Sequence, residues 1–255
     1  MDLYTQPATT STPALIIYLV DTSDSMNQRY GPGTKIELVN IALRDSIRRL
    51  MSRSMRDGVP QPQYLVALLS YNTVVTDELN GICSLPTFGQ TGVPTLSARG
   101  ETDTIAGFAA VEELLLNYNA SLQRNSSLRR PAPLVCHLTD ANFTMDDPSP
   151  IVKRIQQMQF SDGPVLVEHI YMAEHMLRQS VQDWSEWEGV LKLNDLTDGN
   201  AQRLFQLASP LPDVYRQNIN NYGYHLRKGA RLFFPGSTPE LMKLAFAVPA
   251  GSQLR

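Results

Sequence analysis

The sequence of 255 residues contains very little cysteine: it has two, Cys83 and Cys136, and they do not form a CxxC pair. A disulfide framework needs several paired cysteines, and a structural zinc site needs four Cys or His ligands. The scarcity of cysteine therefore argues against both.

The chain also lacks long apolar runs and an excess of positive charge. Its longest wholly apolar stretch, residues 14–20, has seven residues, whereas about 18 are needed to cross a bilayer. Its 22 Lys and Arg are outnumbered by 25 Asp and Glu, a net charge of −3, which excludes a generally basic nucleic-acid binder. We therefore expect a cytoplasmic protein with no membrane contact and no nucleic-acid partner.

The apolar segments that are present predict strands buried on both faces. Residues 1–13 show no periodicity and are interpreted as a flexible N-terminal tail, and residues 14–255 as a single domain. The run Ala14–Val20 has no alternation, as is typical of a parallel strand covered by helices on each side. Thr34 and Glu37 then form a capping-box pattern that starts a helix.

The rest of the chain alternates strands and helices. Residues 74–83 follow the second strand after only two residues, so the third strand must be antiparallel and at an edge. Residues 172–230 are longer than one crossover requires and predict a helical insertion. The pattern indicates a doubly wound α/β fold with helices on both faces. Its mostly parallel sheet has six strands, one of which is an antiparallel edge strand. The strands are predicted at 14–20, 64–71, 74–83, 134–138, 165–171 and 231–234.

Oxygen-bearing side chains follow the ends of the predicted strands. The first strand runs into a D-x-S-x-S motif, an acidic residue follows the fourth strand, and a threonine precedes a helix between them. Ligands of open α/β sheets bind beyond the carboxyl ends of the strands. Hydroxyls and carboxylates suit Mg²⁺ or Mn²⁺ rather than zinc, and an extended motif would point its three side chains the same way. The predicted metal ligands are Asp21, Ser23, Ser25, Thr102 and Asp140.

On these motifs, residues 14–171 resemble a von Willebrand factor A (VWA) domain with a metal-ion-dependent adhesion site. The resemblance implies that the two serines and Thr102 coordinate the cation, while Asp21 and Asp140 bind it directly or through water. It also implies that an open metal position accepts a Glu or Asp of a partner protein. The stretches at 208–212 and 230–236 are similar to those of small stand-alone bacterial members, some of them encoded beside stress-resistance or defence genes.

The sequence departs from the family's usual motif by adding acidic residues. Asp24 and Glu101 stand where the family often has glycine, and Asp103 lies next to Thr102. These three residues form a possible acidic rim of the site. The sequence leaves open whether their carboxylates face the metal or the solvent.

Three functions remain compatible with this pattern. The leading hypothesis is a non-enzymatic, cation-dependent protein-binding module, because the chain contains no arrangement of nucleophile, base and oxyanion donors. A Mg²⁺-dependent phosphatase using Asp21 as the nucleophile is the rival, but Ser23 stands where such enzymes need a second Asp as acid and base. The third is a structural subunit whose metal site is permanently occupied.

Two further features have ordinary structural interpretations. His137 lies on the fourth predicted strand and is expected to be a neutral core residue rather than a base. Trp184 and Trp187 lie three residues apart within the predicted insertion. They are expected to be buried against the sheet, although an exposed pair would suit a partner.

Overall fold

The computed structural model describes residues 2–122, 128–141 and 147–246. A seven-stranded sheet forms the centre of the fold, in the order β7-β6-β5-β1-β2-β3, and β4 also pairs with β2. The strands are β1 (Ala14–Asp21), β2 (Tyr64–Tyr71), β3 (Val75–Asp77), β4 (Cys83–Ser84), β5 (Leu134–Thr139), β6 (Leu166–Tyr171) and β7 (Phe233–Pro235).

Five of these strands, β1, β2, β5, β6 and β7, pair in parallel, whereas β3 and β4 run antiparallel to β2. This confirms the predicted α/β fold with a mostly parallel sheet and an antiparallel edge. The predicted edge strand at residues 74–83 is instead two short strands. Asn80 and Gly81 between them have positive φ angles of 55° and 110°, which an extended strand does not accommodate.

Helices cover both faces of the sheet. Alternate residues of β1 point to opposite sides: Ile16 and Tyr18 pack in one hydrophobic cluster, and Leu15 and Ile17 in the other. The helices are α1 (Lys35–Ser54), α2 (Leu85–Thr91), α3 (Thr104–Leu122), α4 (Ser149–Gln157), α5 (Gly199–Leu207), α6 (Asp213–Asn220) and α7 (Pro239–Ala245).

The capping box predicted at the start of α1 is present. The Glu37 backbone N–H donates to Thr34 Oγ1 at 3.3 Å, and the Thr34 N–H donates to Glu37 Oε2 at 2.8 Å. These two bonds satisfy N–H groups that the first helical turn would otherwise leave without partners. The helix that follows the metal-motif loop therefore begins at the predicted residue.

Residues 172–230, the predicted insertion, contain α5, α6 and two 3₁₀ turns at Trp184–Glu186 and Leu193–Asp195. One crossover is enough to connect the parallel strands β6 and β7, so the region holds more structure than that connection requires. Trp187 is buried and its ring contacts Phe234 of β7 at a centroid distance of 6.0 Å. This tryptophan therefore packs against the sheet.

The predicted N-terminal tail contains no helix or strand in residues 2–13, but it contacts the domain. The Thr5 and Gln6 backbone N–H groups each donate to the buried Asp162 carboxylate at 3.1 Å. Ala8 is buried as well. Within the described part of the chain, no helix is both long enough and apolar enough to cross a membrane.

Candidate metal centre

The candidate site lies at the carboxyl ends of the neighbouring strands β1 and β5. Asp21 is the last residue of β1 and is fully buried, and Thr139 is the last residue of β5. Thr139 Oγ1 donates to Asp21 Oδ2 at 2.8 Å, and the Ser23 backbone N–H donates to Asp21 Oδ1 at 2.9 Å. Both oxygens of this carboxylate therefore accept hydrogen bonds within the protein.

Burial raises the pKa of Asp21 from 3.8 to about 6, and the nearby Asp140 also raises it, while the hydrogen bonds from Ser23 and Thr139 lower it. Desolvation disfavours the charged carboxylate, and donors that point at it favour that form. Asp21 is thus mainly ionised at neutral pH but poorly solvated. A carboxylate in this state is stabilised by a nearby cation.

The loop after β1 brings two hydroxyls to the second carboxylate. Ser25 Oγ donates to Asp140 Oδ1 at 3.0 Å, and Ser23 Oγ and Ser25 Oγ share a hydrogen bond of 3.1 Å. Residues Asp24–Asn27 form a 3₁₀ turn, so the motif is not extended as predicted. The turn brings the two hydroxyls together instead.

The spacing of these oxygens fits an octahedral cation. Mg²⁺ bonds to oxygen at about 2.0–2.1 Å, so two adjacent ligands of an octahedral ion lie about 2.8–3.0 Å apart. The oxygen pairs Ser23–Ser25 and Ser25–Asp140 are separated by 3.1 and 3.0 Å. Ser23, Ser25 and Asp140 therefore offer donors of the type that Mg²⁺ prefers, at hydrogen-bond separations close to those of adjacent octahedral ligands.

Thr102 is buried in a loop that is tied to the D-x-S-x-S loop. The Asp24 N–H donates to the Gly100 carbonyl at 2.9 Å, and the Arg99 N–H donates to the Thr22 carbonyl at 2.7 Å. Gly100 has a φ of +76°, and a Cβ there would lie 2.7 Å from Thr73 Oγ1. Only glycine fits that position without strain. The predicted ligand Thr102 is thus held at the same edge of the sheet as the other four.

The three residues of the possible acidic rim differ in their surroundings. Asp103 Oδ1 accepts a hydrogen bond from the Ala106 N–H at 2.9 Å, so its carboxylate caps the first turn of α3. Asp24 and Glu101 are exposed. That these last two carboxylates influence the metal site stays a prediction.

Lys35 is a member of this site that the sequence analysis missed. Its Nζ donates to Asp140 Oδ2 at 2.7 Å and to Gln28 Oε1 at 2.9 Å, and its side chain is 10% exposed. The capping-box pattern located the start of α1, but nothing in it indicated that Lys35 would contact Asp140. Thr139 was missed as well, although a hydroxyl one residue before Asp140 was a usable signal.

A row of hydrogen-bonded, buried polar side chains lies on one face of the sheet, next to the candidate site. Tyr71 Oη and His137 Nε2 are 2.7 Å apart, and His137 Nδ1 and His169 Nδ1 are 2.9 Å apart. Burial lowers the pKa of His137 well below its usual range and lowers that of His169 to about 3. Both histidines are therefore neutral near pH 7. His137 is a core residue, as predicted.

The opposite face carries a second buried pair in the same two strands. Cys136 Sγ lies 3.0 Å from Glu168 Oε2. Burial raises the pKa of Glu168 to about 8, so this carboxyl is mainly protonated near pH 7. Across residues 2–122, 128–141 and 147–246, no group of three or more His, Cys, Asp or Glu residues is arranged to hold a metal. The candidate centre has two carboxylates and depends on hydroxyls for its remaining ligands.

Comparison with solved structures identifies the fold. The crystal structure of the SpRpn10 VWA domain matches with a TM-score of 0.51 and 13% identity, covering 95% of this chain and 99% of that domain. Proximal thread matrix protein 1 from the mussel byssus matches with a TM-score of 0.50 and 15% identity, covering 94% of this chain and 46% of that protein. No protein-family model and no curated protein sequence matches. The chain therefore has a VWA-like fold, and at these identities the likeness extends to the fold alone.

Proposed function

We propose that this protein is a divalent-cation-dependent binding module that captures an acidic side chain of a partner protein. The observation that carries this proposal is the continuous set of oxygens from Ser23 through Ser25 to Asp140, spaced by 3.1 and 3.0 Å. Asp21 at the end of β1 and Thr102 in the adjoining loop would complete the donor set. Mg²⁺ or Mn²⁺ suits such all-oxygen ligands.

The charge at the site supports recognition of an anion. When bound, the cation supplies a Lewis-acidic position that a carboxylate of the partner can fill. Asp21 and Asp140 balance a divalent cation, while serine and threonine hydroxyls add no further negative charge. A partner carboxylate therefore meets less repulsion than it would at a site built from four or five acidic ligands.

The fold supports the same function at a coarser level. VWA domains in general mediate protein–protein interaction, and the SpRpn10 VWA domain matches almost the whole of this chain. Both cysteines are free thiols, one of them buried, which favours a reducing compartment such as the cytoplasm. Membership of the small bacterial type found beside stress or defence genes stays a hypothesis, to be tested on the neighbouring genes.

We propose binding rather than catalysis because of the residue at position 23. A phosphatase with Asp21 as the nucleophile needs an acid and base two residues later, and the Ser23 hydroxyl does not titrate near neutral pH. Ser23 Oγ is also hydrogen-bonded to Ser25. Magnesium-dependent hydrolysis of p-nitrophenyl phosphate that is lost in Asp21→Asn would favour the phosphatase instead.

Cation binding is the first experiment, and isothermal titration with MgCl₂ and MnCl₂ measures it directly. We expect saturable binding by the wild-type protein and none by Asp140→Asn. Asp57→Asn is the matched control, because Asp57 is an exposed carboxylate beyond the C-terminal end of α1, whose N-terminal end lies at the site. Equal titrations for all three proteins would contradict the proposal.

Partner capture is tested with Mn²⁺ as a probe of the open position. Water bound to Mn²⁺ enhances proton relaxation, and a carboxylate that replaces this water reduces the enhancement. We expect N-acetyl-glutamate amide to reduce the enhancement and N-acetyl-glutamine amide to leave it unchanged. If Mn²⁺ binds but neither compound changes the relaxation, the centre is a permanently closed structural site.

A further inference from the structure

We infer that Lys35 is an internal competitor of the divalent cation. Its ammonium group neutralises Asp140 in the cation-free protein and is displaced from that carboxylate when the cation binds. This inference rests on the proposed function, because it assumes that the site at the ends of β1 and β5 takes a cation. It adds a residue outside the predicted ligand set that controls how tightly the cation is held.

The position of Lys35 in α1 is the first argument. Lys35 is the first residue of this helix, directly after the cap residue Thr34. The N-terminal end of a helix carries a partial positive charge, so it favours anions such as Glu37 and disfavours cations. Helix formation therefore gives no reason for a lysine here. The contacts of the side chain have to supply that reason.

The Lys35 ammonium group donates to two side chains in a mostly buried position. Lys35 Nζ donates to Asp140 Oδ2 at 2.7 Å and to Gln28 Oε1 at 2.9 Å, and the Lys35 and Asp140 side chains are only 10% and 4% exposed. Lysine is rarely buried unless it is paired. The ammonium group thus serves as the positive charge that makes burial of Asp140 tolerable.

The competition follows from how Asp140 uses its two oxygens. Oδ1 accepts from Ser25, which belongs to the candidate ligand set, and Oδ2 accepts from Lys35. A divalent cation on this carboxylate would lie within several ångströms of the ammonium group. Like charges repel strongly at that distance in a poorly hydrated site. Binding of the cation and retention of the Lys35–Asp140 pair therefore oppose each other.

Calorimetry on lysine variants tests this relation. Lys35→Met keeps an unbranched apolar side chain of similar reach and removes the charge, and we expect it to bind Mg²⁺ about tenfold or more tightly than wild type. Lys35→Arg keeps the charge, and we expect close to the wild-type affinity. Lys228→Met removes the charge of a side chain that is 81% exposed, so it controls for the change in net charge.

The outcomes separate the inference from the proposed function. If wild type binds Mg²⁺ and Lys35→Met binds with equal or weaker affinity, the inference is overturned while the metal site stands. If neither wild type nor Lys35→Met binds Mg²⁺ or Mn²⁺, both fail. If only Lys35→Met binds, the inference holds, and Lys35 keeps the wild-type site closed to the cation.

A measurement on the wild-type protein covers the case in which Lys35→Met does not fold. Trace acetylation followed by mass spectrometry reports how accessible each lysine amine is. We expect saturating Mg²⁺ to increase the labelling rate of Lys35 severalfold and to leave that of Lys228 unchanged. In wild-type protein that calorimetry shows to be loaded with Mg²⁺, a Lys35 rate that is unchanged or reduced would overturn the inference.

Discussion

Two buried carboxyl groups of this protein, Asp21 at the rim of the sheet and Glu168 in its interior, show how position decides charge. Burial raises the pKa of both, to about 6 for Asp21 and to about 8 for Glu168. Asp21 accepts hydrogen bonds from Ser23 and Thr139, whereas Glu168 accepts one from the weakly donating Cys136 thiol. Near pH 7 Asp21 is therefore mainly ionised, whereas Glu168 and Cys136 are mainly neutral.

The difference has a geometric cause. At the rim the strands end, and loops bring backbone N–H groups, hydroxyls and the Lys35 ammonium to the carboxylates. In the interior, most polar side chains meet a neighbour in register, as Cys136 meets Glu168 and His137 meets His169, and His137 also reaches Tyr71 across β1. Polar groups in the middle of strands can pair but cannot gather a cation site. Function at the rim and stability in the interior should therefore separate under mutation.

The largest expected effect is on the interior. His137→Ala removes the partner of Tyr71 and of His169 and leaves a cavity, so it should lower the free energy of unfolding by about 3–5 kcal/mol. Mg²⁺ affinity should change by less than about tenfold, because His137 contacts no candidate ligand directly and reaches Asp21 only through Tyr71 and Thr139. Urea unfolding and calorimetry measure the two quantities. His225→Ala, at a side chain that is 60% exposed, should change stability by less than about 0.5 kcal/mol. If His137→Ala also lowered the free energy of unfolding by less than about 0.5 kcal/mol, the expected difference between the interior and the metal centre would be wrong.

The second largest effect is expected at the candidate metal centre. Asp140→Ala should abolish cation binding and lower the free energy of unfolding by about 2 kcal/mol, because Lys35 is left without its carboxylate. The loss is smaller than for an enclosed pair because the lysine stem can turn towards solvent. The double variant with Lys35→Met should recover part of this stability. Urea unfolding of both proteins measures this, and a double variant less stable than Asp140→Ala would contradict the pairing.

The pH dependence of stability should show the interior groups acting in opposite directions. The pKa of Glu168 is raised in the folded state, so its contribution is lost as pH rises through about 8 and gained as pH falls. The pKa values of His137 and His169 are lowered, so their contribution to stability is lost as pH falls through about 6.5, where unfolded histidines take up protons. From pH 8 to 6.5 we expect a gain of about 1–2 kcal/mol in urea unfolding. Glu168→Gln should abolish this gain, and an unchanged slope in that variant would contradict the assignment to Glu168.

The smallest expected effect concerns a single neutral ligand. Thr102→Ala removes one hydroxyl from the donor set and should weaken Mg²⁺ binding less than Asp21→Ala or Asp140→Ala, by about 1 kcal/mol. Ser97→Ala removes an exposed hydroxyl from the same loop and should have no effect on the titration. A calorimetric ranking with Thr102→Ala as the most damaging change would refute the proposed roles of the carboxylates.

Much of the fold follows from short-range patterns in the sequence. Unbroken apolar runs mark the buried parallel strands, and Thr34 with Glu37 marks the start of α1, because these signals arise from local burial and backbone hydrogen bonding. The split of the edge into β3 and β4 was missed although Asn80-Gly81 is a local turn signal, and both residues have positive φ angles. The contacts of residues 2–13 were missed because their partner, Asp162, lies far away in sequence.

The sequence by itself determined the chemistry of the candidate centre: oxygen donors at the ends of β1 and β5 meet because parallel strands end at one edge of a sheet. Tertiary structure alone decided which charges the carboxylates carry and what holds them. Lys35 reaches Asp140 across 105 residues of chain, and Asp24 and Glu101 stay exposed. These outcomes depend on burial and on side-chain direction after the elements have packed, and no local pattern of residues encodes either.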